Sequence, residues 1–210
     1  MHIFKPLPRA FYVRSTLSIA REIPGLILCR RFERKLLAAR IVEVEAYLGH
    51  RDPASHAYRL RTERNEVMFW TGGHLYVYFT YGMHYCANIV TEREERGMAV
   101  LLRAGEPIRG LNTMMTNRYG TREAESSAEL NLLNGDLCRG PAKLCRSFGI
   151  DRRNNGTDLC GNEIWLARDA SLQAPFRVRR STRIGITQGK EHRWRFFIAD
   201  SPFVSRLDHS

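Results

Sequence analysis

Residues 41–49 read IVEVEAYLG, residues 75–89 read LYVYFTYGMHYCANI, and residues 100–107 read VLLRAGEP. These segments set the architecture, because β-branched residues and side chains that alternate between two faces are typical of strands. In the first segment the alternation places both glutamates and the tyrosine on one face, just before a glycine breaks the pattern. We therefore expect a sheet that carries carboxylates beside a phenol ring at the end of one strand.

The remaining periodic segments of the chain predict further strands and a few helices. Strands are expected over residues 26–31, 36–47, 74–79, 86–90, 98–103, 163–167, 176–180 and 194–199, and helices over residues 15–23, 110–119 and 140–149. Gly105 and Pro107 are expected to end the strand at 98–103, and residues 120–135 to form a polar connection. Short turns between the central strands indicate an antiparallel meander in an α+β fold.

The composition fits one globular domain over residues 1–210. There are 33 basic and 22 acidic side chains, a formal net charge of +11 and a pI near 9.9. This excess favours a polyanionic partner such as nucleic acid, with an anionic membrane surface as the competing explanation. No segment approaches the roughly 18 apolar residues of a membrane span, and the first residues lack the features of a secretion signal. We expect a soluble intracellular protein.

The five cysteines are odd in number and form no C-x-x-C pair: Cys29, Cys86, Cys138, Cys145 and Cys160. We therefore expect reduced and mostly buried thiols. A zinc site built from the last three is the alternative, but their spacings match no common structural zinc pattern. The chain also lacks G-x-G-x-x-G, G-x-x-x-x-G-K-[ST], H-E-x-x-H and G-x-S-x-G, which argues against dinucleotide, nucleoside triphosphate and simple zinc-hydrolase chemistry.

Glu45 is the candidate for acid–base chemistry. A carboxylate near an arginine and aromatic rings can activate water while it stabilises a developing oxocarbenium ion at a sugar carbon. Arg103 could hold that water or the carboxylate. The alternatives are an exposed, inert glutamate and an arginine in a structural salt bridge with Glu43 or Glu106. Residue spacing alone does not choose between them.

Aromatic residues suggest a site for a planar base. Tyr47 and Tyr78 each share a strand face with polar residues and could hold a base between their rings. His56 could donate a hydrogen bond or could be an ordinary surface histidine. Other aromatic residues of this region are predicted to belong to the core, namely Phe69, Trp70 and Phe79.

Gly82 predicts a tight turn that presents Tyr81 and Met83 outward. In a basic protein, an aromatic side chain at such a tip can fill the gap that an extruded nucleotide leaves in a duplex. The alternative is a tyrosine that closes a hairpin with its hydroxyl in water.

Several segments run in order along nearly the whole chain: RIVEVEAYLG, ASH, the R-N-x-x-M-F of residues 64–69, LYVYFTYGMHYCANI, VLLRAGEP, RGPAKLC, and RIGI followed by DSPFVS. Together they resemble the alkyladenine DNA glycosylase family, also called the 3-methyladenine DNA glycosylase family. The pattern LYVY-x-x-YGM-x-x-x-x-N with an upstream E-A-Y is highly specific. The resemblance implies a single mixed α+β domain with a curved antiparallel β-sheet flanked by helices, and it implies no metal and no cofactor.

The resemblance also implies roles for the residues singled out above. Glu45 corresponds to the family's general base, and Arg103 helps to position the attacking water. Tyr47 and Tyr78 match the pair that stacks on the extruded base, and His56 matches the pocket histidine that contacts it.

Three further residues and one segment match other features of the family. Asn88 corresponds to the asparagine that discriminates against the exocyclic amino group of guanine. Tyr81 matches the aromatic residue that enters the minor groove, and Met83 lies in the same intercalating turn. Residues 183–186, which read RIGI, resemble the segment that lines the water site.

The implied activity is that of a monofunctional DNA repair glycosylase, because no lysine in the matched site is placed as a Schiff-base nucleophile. It would flip alkylated or deaminated purines (3-methyladenine, 7-methylguanine, hypoxanthine or ethenoadenine) from double-stranded DNA and leave an abasic site. We expect a monomer in the cytoplasm, of the bacterial type, without membrane association. The alternatives are a binding module of the same fold without catalysis and an RNA-directed hydrolase. Glu63 and His84 depart from some relatives and could alter the substrate range.

Overall fold

The computed structural model describes residues 4–120, 133–172 and 176–205. The α-helices with both ends in this part are α1 (Arg9–Tyr12), α2 (Thr16–Glu22), α3 (Leu111–Tyr119) and α4 (Pro141–Phe148). The strands are β1 (Ile27–Phe32), β2 (Lys35–Leu48), β3 (Leu75–Thr80), β4 (His84–Thr91), β5 (Met98–Arg109), β6 (Ile164–Ala167), β7 (Val178–Ser181) and β8 (Arg195–Ile198). One antiparallel sheet with helices around it confirms the predicted α+β class.

Strand β2 is the centre of an eight-stranded sheet in the order β3-β4-β5-β2-β1-β6, with β8 paired to both β2 and β7. It pairs with β5 along one edge, and with β1 and then β8 along the other. Register shifts between β2 and β5 bend the strand, as β-bulges do, and curve the sheet. Because strands flank β2 on both sides and both its faces are covered, even its two glutamates are enclosed.

The main core joins the sheet to α2 and α4. Ile19 of α2 packs in the same apolar cluster as Leu144 and Phe148 of α4. Helix α4 begins at a proline, as predicted, and ends at Gly149, whose φ of +67° lies in the left-handed region that favours glycine. A Cβ atom there would lie 2.8 Å from the ring of Phe32, so the close packing of α4 on β1 also requires glycine.

The predicted strands and helices agree with the structure within about two residues at each end, apart from β5. The prediction that Gly105 and Pro107 end this strand was wrong, because β5 continues to Arg109. Pro107 pairs with Ala39 beside a register shift. A bulge tolerates a residue that cannot donate to the ladder, and this explains why proline does not end the strand.

Two predictions about burial had different outcomes. Four of the five cysteines are buried and all five are free thiols, as expected. The assignment of Trp70 and Phe79 to the core was wrong, because each is 38% exposed. Phe79 shares a strand face with the buried Leu75 and Val77, but it lies next to the end of β3 at the hairpin turn, where less of the protein covers that face.

The predicted polar connection at residues 120–135 falls largely on residues 121–132, which lie outside the described part of the chain. Among the helices of the described ranges, none is long and apolar enough to cross a membrane.

Candidate active site

A cavity of about 480 Å³ lies where the central strands meet residues 184–187. Strands β2 to β5 and the loop that follows β2 together contribute most of its wall. Six of the eight predicted site residues line it, and these are Tyr47, His56, Tyr78, Tyr81, Asn88 and Arg103. The sheet thus brings together residues that are up to 56 positions apart in sequence, from Tyr47 to Arg103.

Glu45 lies directly behind the cavity lining and is fully buried, with 0% exposure. Its Oε1 accepts a hydrogen bond from the backbone N–H of Ile184 at 2.7 Å. Its Oε2 accepts one from the Tyr47 hydroxyl at 2.9 Å, and Arg103 Nη1 lies 3.4 Å from the same oxygen. All three partners line the cavity. The carboxylate is therefore held in one orientation at the back of the cavity.

Burial raises the pKa of Glu45 above its ordinary value, because desolvation disfavours the charged form. The positive charge of Arg103, the Ile184 N–H and the Tyr47 hydroxyl act in the opposite direction, and the nearby charge of Glu43 adds to the rise. A raised pKa makes the ionised carboxylate a stronger base. The site therefore combines a basic carboxylate with groups that stabilise its charge.

Arg103 combines the two roles that the sequence left open, contact with the Glu45 carboxylate and a structural salt bridge. Its Nε donates to Glu43 Oε1 at 3.0 Å, as in a structural salt bridge, while Nη1 faces Glu45. The other suggested partner, Glu106, pairs with Arg40 at 2.6 Å instead. Because Arg103 also lines the cavity, its structural salt bridge does not remove it from the site.

The ring of Tyr47 is supported from behind by a buried ion pair. The guanidinium carbon of Arg183 lies 4.7 Å from the ring centroid. Arg183 Nη2 donates to Asp52 Oδ1 at 2.8 Å, and Nη1 donates to the carbonyl of Ala46. These contacts anchor the start of the 184–187 segment and so bring the N–H of Ile184 to Glu45.

An aromatic cluster forms a second wall of the cavity. The rings of Tyr76 and Tyr78 stack with centroids 5.6 Å apart, and His56 meets Tyr78 edge-on at 4.4 Å. His56 Nδ1 lies 3.1 Å from the Tyr76 hydroxyl. Surrounding protein, and secondarily the charge of Arg64, lower the pKa of His56. The imidazole is therefore neutral at pH 7 and presents one donor and one acceptor.

Asn88 lies in the sheet beneath this wall and is buried. It pairs with Tyr76 on one side and Leu101 on the other, and its amide nitrogen donates to the Tyr76 carbonyl at 3.3 Å. The neighbouring lining residue Cys86 is paired with Tyr78 across the strands, and burial raises the pKa of its thiol. Asn88 is therefore a polar group of fixed orientation in a largely apolar floor.

The turn at the mouth of the cavity has the predicted form. Tyr81 has a φ of +50° and is 83% exposed, and Met83 is 71% exposed. Tyr81 borders the cavity, whereas Met83 borders a depression on the other side of the turn. The hairpin therefore presents two large apolar side chains to solvent beside the cavity mouth.

Two contributions to the site were not predicted. The resemblance placed residues 183–186 at the water site, but it did not single out the backbone N–H of Ile184, a donor that almost any residue type supplies. The role of Tyr76 in the aromatic wall had a signal, because the alternation placed it on the same strand face as Tyr78. No group of three or more histidine, cysteine, aspartate or glutamate side chains in the described ranges could hold a metal ion.

The model of the methylpurine-DNA glycosylase family matches residues 10–202, a span that includes every residue of the site described above. The chain belongs to this family. Its relatives include a protein of Alkaliphilus oremlandii, 43% identical over 95% of this chain and 98% of the relative. Proteins of Carboxydothermus hydrogenoformans and Streptomyces avermitilis are 44% and 42% identical over 95% of this chain, and over 98% and 91% of their own lengths. Each of the three is named "putative 3-methyladenine DNA glycosylase".

Proposed function

We propose that this family member is a monofunctional DNA glycosylase that extrudes damaged purines from duplex DNA and hydrolyses their N-glycosidic bond. One observation carries the proposal: a fully buried carboxylate, Glu45, lies at the back of a cavity walled by aromatic rings. This arrangement offers a base for water next to a surface on which a purine can stack.

The proposed reaction needs one activated water. Glu45 takes a proton from the water as it attacks the anomeric carbon, and Arg103 stabilises the carboxylate and orients the water. The negative charge of Glu45 also stabilises the developing oxocarbenium ion. Alkylated purines such as 3-methyladenine and 7-methylguanine carry a positive charge and are good leaving groups, so base activation of the water suffices for them. Neutral hypoxanthine or ethenoadenine needs additional hydrogen bonds to the leaving base.

In this proposal Tyr47 and Tyr78 stack on the extruded base, and His56 hydrogen-bonds to it. A cationic purine also gains from the negative faces of the tyrosine rings, by about 0.5–2 kcal/mol per contact. Asn88 excludes undamaged guanine, whose exocyclic amino group would have to fit against this buried side chain in the cavity wall. The fixed orientation of Asn88 supports this assignment.

Tyr81, with Met83, occupies the gap that the extruded nucleotide leaves in the duplex. The exposure of both side chains at the cavity mouth supports this role, because the protein itself gives neither of them a packing environment. The proposed partner is thus double-stranded DNA that contains damaged purines, to which the net charge of +11 attracts the protein. We propose a monomer that acts in the cytoplasm, where its DNA substrate is found.

The test uses duplex DNA with a single hypoxanthine or 3-methyladenine, matched undamaged DNA and a matched RNA duplex. We expect alkali-labile breaks at the lesion in the damaged DNA alone, and no break before alkali is added. Binding without alkali-labile sites would indicate a binding module, and cleavage confined to RNA would indicate an RNA-directed hydrolase. Strand breaks without alkali would contradict the monofunctional assignment.

A further inference from the structure

A second buried glutamate lies two residues before Glu45, on the same face of β2. Glu43 is fully buried and does not line the cavity. Its carboxylate accepts hydrogen bonds from Arg103 Nε at 3.0 Å and Arg195 Nε at 2.7 Å. It also accepts from Ser205, through the backbone N–H at 2.6 Å and the hydroxyl at 3.0 Å. Four donors from three separate parts of the chain therefore converge on this carboxylate.

The contacts of Glu43 constrain Arg103 in particular. A guanidinium is a planar group with donors at fixed angles. When Nε of Arg103 is held by Glu43, the direction of Nη1 is largely determined, and in the structure Nη1 points at Glu45. Ser205 Oγ lies 3.5 Å from Nη2 and restrains the remaining end of the group.

We propose that Glu43 and Ser205 are positioning residues that hold Arg103 in the orientation required beside Glu45, so that the segment after β8 is part of the active site. This inference rests on the proposed function, because it assumes that Glu45 activates the water. Glu43 itself touches neither water nor base in this scheme.

The charges around Glu45 distinguish this role from simple stabilisation. Glu45 is faced by Arg103 from β5 and by Arg195, its register partner on β8. Tyr47 and Glu43 face it from its own strand, and the N–H of Ile184 faces it from the segment after β7. Arg183, which precedes Ile184, has its charge balanced by Asp52. The two carboxylates thus share Arg103, and Glu43 also pairs with Arg195. If Glu43 becomes neutral, the charge of Arg103 is balanced by Glu45 alone. Loss of the Glu43 charge alone would lower the pKa of Glu45, but release of Arg103 raises it by more, because the charge of Arg103 acts on this pKa more strongly than that of Glu43.

The experiment compares Glu43→Gln with Glu106→Gln. Glu106 lies on the same strand as Arg103 and forms an ion pair with Arg40, but it contacts neither Arg103 nor Glu45. Single-turnover excision of hypoxanthine is measured across pH, together with affinity for the lesion duplex and melting temperature. For Glu43→Gln we expect a rate about 10- to 100-fold lower, as small misplacements of catalytic groups produce, and an acid limb shifted to higher pH because Arg103 is released, with unchanged affinity. For Glu106→Gln we expect the wild-type rate and profile.

A folded Glu43→Gln protein with the wild-type rate, or with an acid limb at or below the wild-type pH, would overturn the proposal, as would an equal loss in Glu106→Gln. If Glu43→Gln does not fold, Ser205→Ala decides, since it removes only the hydroxyl contacts. A several-fold lower rate with unchanged affinity supports the proposal, and a wild-type rate refutes it. Glu45→Gln separates failure of the positioning role from failure of the proposed function. If this variant excises at the wild-type rate, the proposed function itself fails. If it is inactive while Glu43→Gln is normal, only the positioning role fails.

Discussion

The back of the cavity and its rim are built in opposite ways, although both belong to the stretch between residues 41 and 103. At the back, Glu45 is fully buried and both its oxygens have partners within the protein. At the rim, Tyr81 is 83% exposed, and its backbone lies in the left-handed region. A glycine follows it in the turn, where an added Cβ would meet nothing within 4 Å.

The difference follows from what each part must do. A buried charge is tolerated only when it is paired and hydrogen-bonded, and the same contacts that stabilise it also fix its direction. An exposed aromatic ring gains nothing from the folded protein, so its contribution comes only when a partner covers it. We therefore expect substitutions at the back to change the rate of the reaction and substitutions at the rim to change binding.

The largest effect is expected for Glu45→Gln. Loss of a general base lowers rates by about 10²- to 10⁴-fold. Because glutamine has nearly the same shape, binding of the lesion duplex should be retained. Single-turnover excision of hypoxanthine, with binding measured in parallel, tests this expectation. A rate within a few-fold of wild type would remove Glu45 from the role of base and would erase the proposed contrast between the two regions.

A smaller effect, on binding and not on the rate of the reaction, is expected for Tyr81→Ala. The variant should bind the lesion duplex about 10-fold more weakly, because the extruded state loses the side chain that fills the gap. Its stability should change by no more than about 0.5 kcal/mol, as is usual for exposed positions. Leu172→Ala, another exposed apolar residue away from the cavity, is the control. Equal affinities for wild type and Tyr81→Ala would exclude the wedge role.

Two arginines of one loop extend the comparison to the charges near the rim. Arg64 lines the cavity and forms no ion pair among the described residues, whereas Arg61 is paired with Glu66 at 3.0 Å and Glu95 at 2.7 Å. If Arg64 contacts a phosphate, Arg64→Ala should reduce the slope of log K against log salt by about one. Arg61→Ala should leave that slope almost unchanged. Equal slopes for both variants would show that Arg64 does not touch the backbone.

The smallest effect concerns the pH profile. The rate should fall as pH decreases through the raised pKa of Glu45, because only the ionised carboxylate accepts a proton. The hydroxyl of Tyr47 lowers this pKa, so Tyr47→Phe should move the acid limb to higher pH. Tyr76→Phe removes a hydroxyl that contacts His56 instead, and its acid limb should match wild type. If the acid limb of Tyr47→Phe lay at the same pH as that of wild type, or at a lower pH, the hydrogen bond from Tyr47 would not lower the pKa of Glu45.

Most of the local structure could be predicted because it depends on neighbours in sequence. The period of two in residues 41–49 places Glu43, Glu45 and Tyr47 on one face, and Gly82 marks the turn that exposes Tyr81. The prediction failed where non-local pairing decides. Pro107 remains inside β5 because a bulge against Ala39 accommodates it, and Trp70 is exposed although its type favours the core.

The sequence by itself determined the strand faces, the turn, the positive charge that suits a polyanion and the motifs of the family. The net charge follows from the composition, and the other features depend on residues that are neighbours in sequence. Only the tertiary structure decided that Glu45 is buried, that an N–H of Ile184 reaches it across 139 positions, and that Arg103, Arg195 and Ser205 meet at Glu43. The physical reason is that burial and hydrogen bonding depend on what packs against a strand. Alternation along β2 shows which side chains share a face, but not which parts of the chain cover that face.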